Sequence, residues 1–472
     1  MSLSSIWQAV STNLPEVAGP SQRKLDFKEK LKWTLIVLVA FFILGLVKLF
    51  GLGQNALEQF EFLSLILGAE FGSIISLGIG PLVTSSIVLQ LLNGSGIVKF
   101  DLTTHDGKKN FQAVQKMLSI FFILFEAVVY VFMGGLSPPA EFVGTGLFLQ
   151  LELILVFQLF IGGILIMFMD EIVSKWGFGS GISLFIAAGV SKQLFIRLLS
   201  PFSITRVLGW PFGTEAPVGK ILDLFYSLLS ANPKGAFLAL AMIGATVLVF
   251  VMAVYGQSMK VEIPLSFGRI RGHGIRWPLS FMYTSNIPVI LVAALFANIQ
   301  LWARLLQNWG HPLLGTFVGN TPASGLVSWL TPPNILEGLI KGTLTLNDVG
   351  VAFVYMILLM GGAVMFSYFW VQTSGMDAKS QAKQILASGL SMPGFRQDPR
   401  IMERLLQRYI GPLTIMGAMA IGFLAALADI SGALVNGTSL LLAVMIVFRL
   451  YEDIAKQHMY DMHPMMRKFM QI

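Results

Sequence analysis

Cysteine is absent from this chain of 472 residues. Disulfides, thiolate metal sites and a cysteine nucleophile are therefore excluded. Charge is scarce as well. Asp, Glu, Lys and Arg together make up 12% of the residues, against ~25% in an average soluble protein. That shortfall excludes a soluble multidomain enzyme, and a hydrophobic share of 55% excludes a disordered chain. Catalytic and energising patterns are missing too. His458 and His463 stand one residue too far apart for HExxH, and no GxSxG elbow occurs. Gly213 lies one position too early for a phosphate loop ending at Gly219-Lys220, and Ile221 follows where Ser or Thr is needed. With no nucleotide site, cofactor site or metal site in view, the driving force for any transport must come from a partner or a gradient.

What the chain has instead is long apolar runs. About 20 apolar residues cross a bilayer core, and ten such spans read at roughly 33–50, 76–92, 117–136, 146–169, 182–199, 235–255, 279–302, 349–371, 410–428 and 434–450. Residues 1–32 are polar and mixed in charge, and they are expected to form a cytosolic amphipathic segment rather than a signal peptide. Of the 32 Lys and Arg, 24 fall on one alternating set of connecting segments and 5 on the other. The positive-inside rule then puts both termini in the cytoplasm. Glycine, 47 residues, is above its usual share, as suits close helix contacts in a membrane.

Several stretches allow two readings. An apolar segment at 62–75 is too short to cross, contains Glu70, and runs into Gly78-Ile79-Gly80-Pro81. It is either an outside loop helix packed on the bundle or a re-entrant helix, which is tolerated only inside protein or a wet cavity. Two inside loops concentrate basic residues, Lys260 with Arg269, Arg271 and Arg276, and Lys379, Lys383, Arg396, Arg400, Arg404 and Arg408. Anionic lipid contact accounts for such charge, and so does a phosphate-rich partner such as ribosomal RNA. Ile79 and Val83 share a helix face at i, i+4, as do Ile182 and Ile186. They line a pore, or they are ordinary core or lipid-facing residues. Charge inside the spans is sparse, with Glu126 well within the third, Glu152 in the fourth and Asp429 at the end of the ninth. Five spans precede the outside segment 201–234 and five follow. Ile79-Gly80-Pro81 and Ile287-Pro288 occupy like places in the second helix of each half. An odd number of spans per half makes such a repeat an inverted one.

The stretches SLGIGPLVTSSIVLQLL from Ser76, FQAVQKMLSI from Phe111, MDEIVSKWGFGSGISLFIAAGVS from Met169, KVEIPLSFGRIRG from Lys260, SNIPVILVAALFANIQLW from Ser285 and RYIGPLTIMGAMAIGFLAALADISGAL from Arg408 stand in order along the chain. Together they resemble the SecY family, whose members form the channel of the Sec translocon, and within it the archaeal and eukaryotic branch. The resemblance implies an all-α membrane protein with ten transmembrane helices in two inverted five-helix halves, residues 33–200 and 235–450, around a central pore. It implies a waist ring of Ile79, Val83, Ile182, Ile186, Ile290 and Leu442, and a re-entrant plug at about 62–71 carrying Phe62, Leu63, Leu65, Ile66, Leu67 and Phe71. It also implies a lateral gate with a polar cluster of Thr84, Glu126 and Asn298. Ribosome docking is implied at Arg269, Arg271 and Arg396 in loops 256–277 and 373–408. The implied partners are small translocon subunits of the SecE/gamma and beta types, the ribosome, signal peptides, nascent chains and membrane lipids. The implied setting is the cell membrane of a prokaryote, an archaeon.

Segment 303–348 matches poorly, and the tail 451–472 is long. Its His458, His463 and four methionines are expected on a helix rather than in a metal site, since no ligand spacing repeats. The rival to a protein-conducting channel is an inverted-repeat secondary transporter for a small solute. It shares the topology but needs a polar midplane pocket, where an aliphatic ring is expected instead.

Overall fold

The structure is a computed structural model. It describes residues 15–21, 25–55, 69–94, 97–98, 100, 105–203, 209–267, 274–284, 287–318, 321–387, 390–391, 398–435 and 437–462. Among the described residues, ten long helices carry the ten apolar runs: α1 Phe27–Leu46, α2 Gly80–Gly94, α3 His105–Phe132, α4 Gly146–Trp176, α5 Gly181–Leu199, α6 Pro233–Ser258, α7 Ile287–Asn308, α8 Leu346–Thr373, α9 Pro399–Ile430 and α10 Gly437–Met462. Seven of them, α3 to α9, are long and apolar enough by themselves to cross a membrane. The other three fall short for visible reasons. Helix α2 has only 15 residues, α1 opens on Lys28, Glu29, Lys30 and Lys32, and α10 carries Arg449, Glu452 and Asp453.

Local chemistry starts these helices. Pro81 and Pro288 stand in the first turns of α2 and α7, where proline's fixed φ suits the helix and its missing N–H goes unused. Helix α6 begins at Pro233 under Asn232, whose side chain accepts from the Gly235 amide. Thr345 and Asp348 form a capping box at the start of α8.

The chain before α2 is where the structure departs from an uninterrupted span. Residues 69–79 are non-helical turns, yet Ile75, Leu77 and Ile79 are almost fully buried. Serine side chains satisfy part of this backbone: the Gly72 amide donates to Ser76 Oγ at 2.9 Å, and Ser73 Oγ donates to the Glu70 carbonyl at 2.7 Å. Irregular backbone survives among apolar surroundings only when its polar groups are satisfied in this way.

Each half packs its own helices, α2 on α3 and α3 on α4 in the first, α8 on α9 and α7 on α8 in the second. The halves meet along two seams. At one, α5 lies against α10; at the other, α2 lies against α7 and α8. One continuous apolar core joins residues of all ten helices around these seams. Outward-facing apolar residues such as Leu35, Val39 and Ile43 on α1, and Phe237, Leu240 and Val251 on α6, remain exposed. They are the surface a bilayer covers.

A smaller layer sits at one end of the bundle. Strands β1 Lys260–Phe267 and β2 Gly274–Ser280 form an antiparallel hairpin, and Leu390–Ser391 joins the free edge of β1. Both basic loops thus stem from a single short sheet at the end of an all-α bundle. Ile263, Leu279 and Tyr283 bury with Ala382, Ile385, Met402 and Leu406 in a separate core beneath it. Helix α9 starts eleven residues before its apolar run because Met402 and Leu406 are buried in that core. At the opposite end, segment 303–348 folds into a hairpin of Gly315–Val318 with Thr321–Gly325 and two short helices, Leu326–Trp329 and Ile335–Lys341.

Candidate pore and lateral gate

Ile79 precedes α2, and its carbonyl accepts the Val83 amide at 3.0 Å. That bond places the two side chains one turn apart on the same face. Ile182 and Ile186 repeat the arrangement on the first turns of α5, Ile290 lies in the first turn of α7, and Leu442 in the second turn of α10. Ile79, Val83, Ile186, Ile290 and Leu442 all belong to the apolar core, each 5% exposed or less, and Ile182 packs against it. Helices α2, α5, α7 and α10 thus each bury aliphatic side chains at or near their first two turns in the one apolar core.

A cavity of about 380 Å³ borders three of these residues, Val83, Ile182 and Ile290. Ser86, Gln90, Gln115, Asp170, Ser180 and Ser183 give the rest of its lining polar character, with Trp370, Thr373 and Ser374 from the end of α8. The cavity therefore joins hydrogen-bonding groups to aliphatic ones.

Thr84, Glu126 and Asn298 meet at the α2–α3–α7 junction. Asn298 Nδ2 donates to Thr84 Oγ1 at 3.1 Å, and Thr84 Oγ1 lies 3.1 Å from Glu126 Oε1 and 2.9 Å from the Gly80 carbonyl. A hydroxyl has one hydrogen, so it serves only one of those two acceptors at a time. Glu126 is 2% exposed and Asn298 8%, yet Glu126 Oε2, Asn298 Oδ1 and the nearby Tyr130 hydroxyl find no partner among the described residues. Phe125 stacks on Trp302 across the same α3–α7 contact, centroids 5.6 Å apart.

The remaining expected residues divide. Phe62, Leu63, Leu65, Ile66 and Leu67 of the plug lie outside the described residues, as do Arg269, Arg271 and Arg396 of the docking loops. Phe71 is described, half-buried and packed against the main core. Sequence reasoning missed the pairing of Lys192 on α5 with Glu70, just ahead of the buried turns. It also missed the bonding of Asp429, whose carboxylate accepts from the Tyr355 hydroxyl at 2.7 Å, from the Thr438 amide at 2.7 Å and from the Thr438 hydroxyl. An acidic residue at the end of an apolar run, followed after a short Gly-rich turn by another span, was the available signal.

This chain, with its helices in this order, matches a known family. Its profile, SecY, covers residues 73–451. The chain belongs to the SecY family. The protein translocase subunit SecY of Methanothermobacter thermautotrophicus is 43% identical over 462 residues, spanning 97% of this chain and 96% of that one. Among solved structures, a protein-conducting channel superposes with a TM-score of 0.81 at 40% identity, covering 98% of this chain and 99% of its own. The Sec61 channel in the canine ribosome–channel complex from the endoplasmic reticulum gives a TM-score of 0.78 at 40% identity, with coverage of 98% and 99%. The fold is that of an all-α, multi-pass membrane channel of the archaeal SecY type, a family of channels rather than enzymes.

Proposed function

We infer that the chain is the protein-conducting subunit of a SecY-type translocase, passing secretory polypeptides across the membrane and releasing transmembrane segments sideways into lipid. The observation that carries this reading is the burial of the ring aliphatics in one core, three of them bordering a polar-lined cavity. A narrow apolar constriction sheds water and blocks ions, yet offers a sliding chain no fixed polar partner. A small-solute transporter needs the reverse, a polar pocket at the midplane, whereas in this reading an aliphatic ring occupies that level.

In this reading Ile79, Val83, Ile182, Ile186, Ile290 and Leu442 form the seal, and the segment around Phe71 covers it from outside. The α2–α7 seam is the lateral gate, held shut by Thr84, Glu126 and Asn298. Membrane hydrogen bonds average only ~0.6 kcal/mol. A signal sequence whose leucines each favour lipid by up to ~0.6 kcal/mol offsets them with a few residues. The basic sheet faces the cytoplasm with both termini, following the 24-to-5 distribution of Lys and Arg. There Arg269, Arg271 and Arg396 dock ribosomal RNA, in keeping with the ribosome–channel complex of the canine relative, while SecE/gamma-type and beta-type subunits clasp the helix bundle. The membrane is the cell membrane of an archaeon.

Replacing the six ring residues with Asn tests the seal. Water then finds partners at the constriction, so the resting channel is expected to conduct ions in planar bilayers and to accept weaker signal sequences. A channel that stays dry with all six substitutions would place the pore elsewhere. Reversing the charge of Arg269, Arg271 and Arg396 is expected to weaken ribosome binding and to lower its salt slope by about one for each phosphate no longer neutralised. Ribosome affinity unchanged at physiological salt would leave those arginines to lipid.

A further inference from the structure

Two of the four ring-bearing helices start in the same unusual way. Helix α5, with Ile182 and Ile186, follows α4 through a short turn, and α10, with Leu442, follows α9 likewise. Near the end of each preceding helix stands an aspartate that reaches across to the new helix start. Asp170 of α4 accepts the Ile182 amide through Oδ1 at 3.0 Å. Asp429 of α9 accepts the Thr438 amide through Oδ1 at 2.7 Å and the Thr438 hydroxyl through Oδ2. The first four amides of a helix have no partner inside it. Here a carboxylate from the neighbouring helix supplies one, and negative charge suits the positive end of the helix dipole.

A second observation is independent of the carboxylates. Both helices open on a glycine with no room for a side chain. A Cβ on Gly181 would stand 2.5 Å from Asp170 Cα, and one on Gly437 would stand 1.9 Å from the Ala428 carbonyl carbon. Each helix start is thus pressed onto the backbone that presents its aspartate. The pressed and capped turn is also the ring-bearing one. The amide held by Asp170 is that of Ile182 itself, with Ile186 one turn on, and Leu442 lies one turn beyond Thr438 on the same face. The two grips approach the ring turns from opposite directions, because α4 and α9 run in opposite senses in an inverted repeat.

We propose that Asp170 and Asp429 are a matched pair of positioning residues, one per half, that fix the depth and rotation of α5 and α10 so that their aliphatic side chains close the pore. The inference rests on the ring reading above. A helix freed at its capped end frays and turns within its seam, and the α5–α10 contact is the seam that must not yield when the opposite one opens. Asp429 adds a tie to α8, since the Tyr355 hydroxyl donates to the same carboxylate at 2.7 Å.

The test compares Asp170→Ala, Asp429→Ala, Asp170→Asn and Asp429→Asn in the full chain with its partner subunits, alongside Ile182→Asn with Leu442→Asn as a ring control. Hydrogen exchange is read at residues 182–184 and 438–440, and resting ion conductance is read in planar bilayers. Each Ala variant is expected to speed exchange at its own helix start and to raise resting leak about five- to tenfold, the worth of a missing cap. Each Asn variant is expected to return most of the seal, because its carboxamide oxygen still accepts the amide. The double Ala variant is expected to multiply the two leaks, the caps being on separate helices. Should an Ala variant fail to assemble, Asp→Ser, whose hydroxyl is too short to reach across, carries the same expectation. Faster exchange with wild-type leak would overturn the positioning role, and unchanged exchange would overturn the cap itself. A dry ring control beside faster exchange in the Ala variants would instead overturn the ring reading, and this inference with it.

Discussion

Two carboxylates are buried deep among these helices, and the fold treats them in opposite ways. Asp429 holds three donors at the α8–α9–α10 junction. Glu126, equally buried at the α2–α3–α7 junction, shares a single threonine hydroxyl, and its second oxygen has no partner among the described residues. A saturated buried network rigidifies, whereas a half-satisfied one is costly to keep and cheap to separate. The difference matches the mechanical demands on the two places. The first junction lies within one half and anchors the α5–α10 seam. The second joins the two halves along the seam proposed as the lateral gate.

The comparison breaks most visibly at Asp429. Asp429→Leu strands the Tyr355 hydroxyl and the Thr438 amide and hydroxyl without an acceptor, and each buried orphan costs about 1–3 kcal/mol. Destabilisation by several kcal/mol is expected, read as a lowered unfolding temperature of the detergent-solubilised complex. A drop no larger than that of Glu126→Leu would erase the distinction between the two junctions.

Glu126→Leu is expected to fall on the other side of zero or near it. Removing a half-bonded buried carboxyl from an apolar seam removes its desolvation penalty together with its one bond, and such replacements are often neutral or stabilising. Thermal stability should therefore hold within about 1 kcal/mol. Marked destabilisation would mean that Glu126 has a partner that this closed arrangement does not contain.

Asn298→Leu sharpens the comparison further. It deletes one seam bond of ~0.6 kcal/mol, so the gate is expected to open about threefold more readily to weak signal sequences, with unfolding temperature unchanged. Translocation of a graded series of signal peptides in reconstituted vesicles measures this. A shift toward stronger signals would reverse the assigned sign.

The smallest effect belongs to Lys192→Ala. Its pair with Glu70 is close to half-exposed on both sides, and exposed pairs contribute only ~0.2–1 kcal/mol. Yet the pair ties α5 to the segment leading into the ring, so faster hydrogen exchange at residues 69–79 is expected without ion leak. Leak equal to that of the ring variants would make this pair part of the seal.

Much of the architecture is readable from the chain alone. The spans, their alternation and the Gly80-Pro81 and Ile287-Pro288 starts follow from hydropathy and proline chemistry, which act locally. Ile79 and Val83 are visible as a helix-face pair because a hydrogen bond of period four needs no tertiary partner. The sheet uniting the two basic loops is not readable, since Ser266 and Ser391 pair across more than a hundred residues through backbone groups that every residue carries. The irregular turns before α2 are hidden for a similar reason. Ser73 and Ser76 look like any membrane serines until their hydroxyls are seen serving the backbone beside them.

The sequence by itself determined that this chain crosses a membrane many times, how its charges gather on alternate connecting segments and which aliphatic residues lie in helix-start turns, because hydropathy and periodicity are properties of neighbouring residues. Only the tertiary structure decided which helices share a seam, that Ile79, Val83, Ile186, Ile290 and Leu442 close into one core, and that Asp429 is saturated while Glu126 is left short. A carboxylate's cost in an apolar bundle is set by the donors that distant helices bring to it, and no local pattern records where those helices will lie.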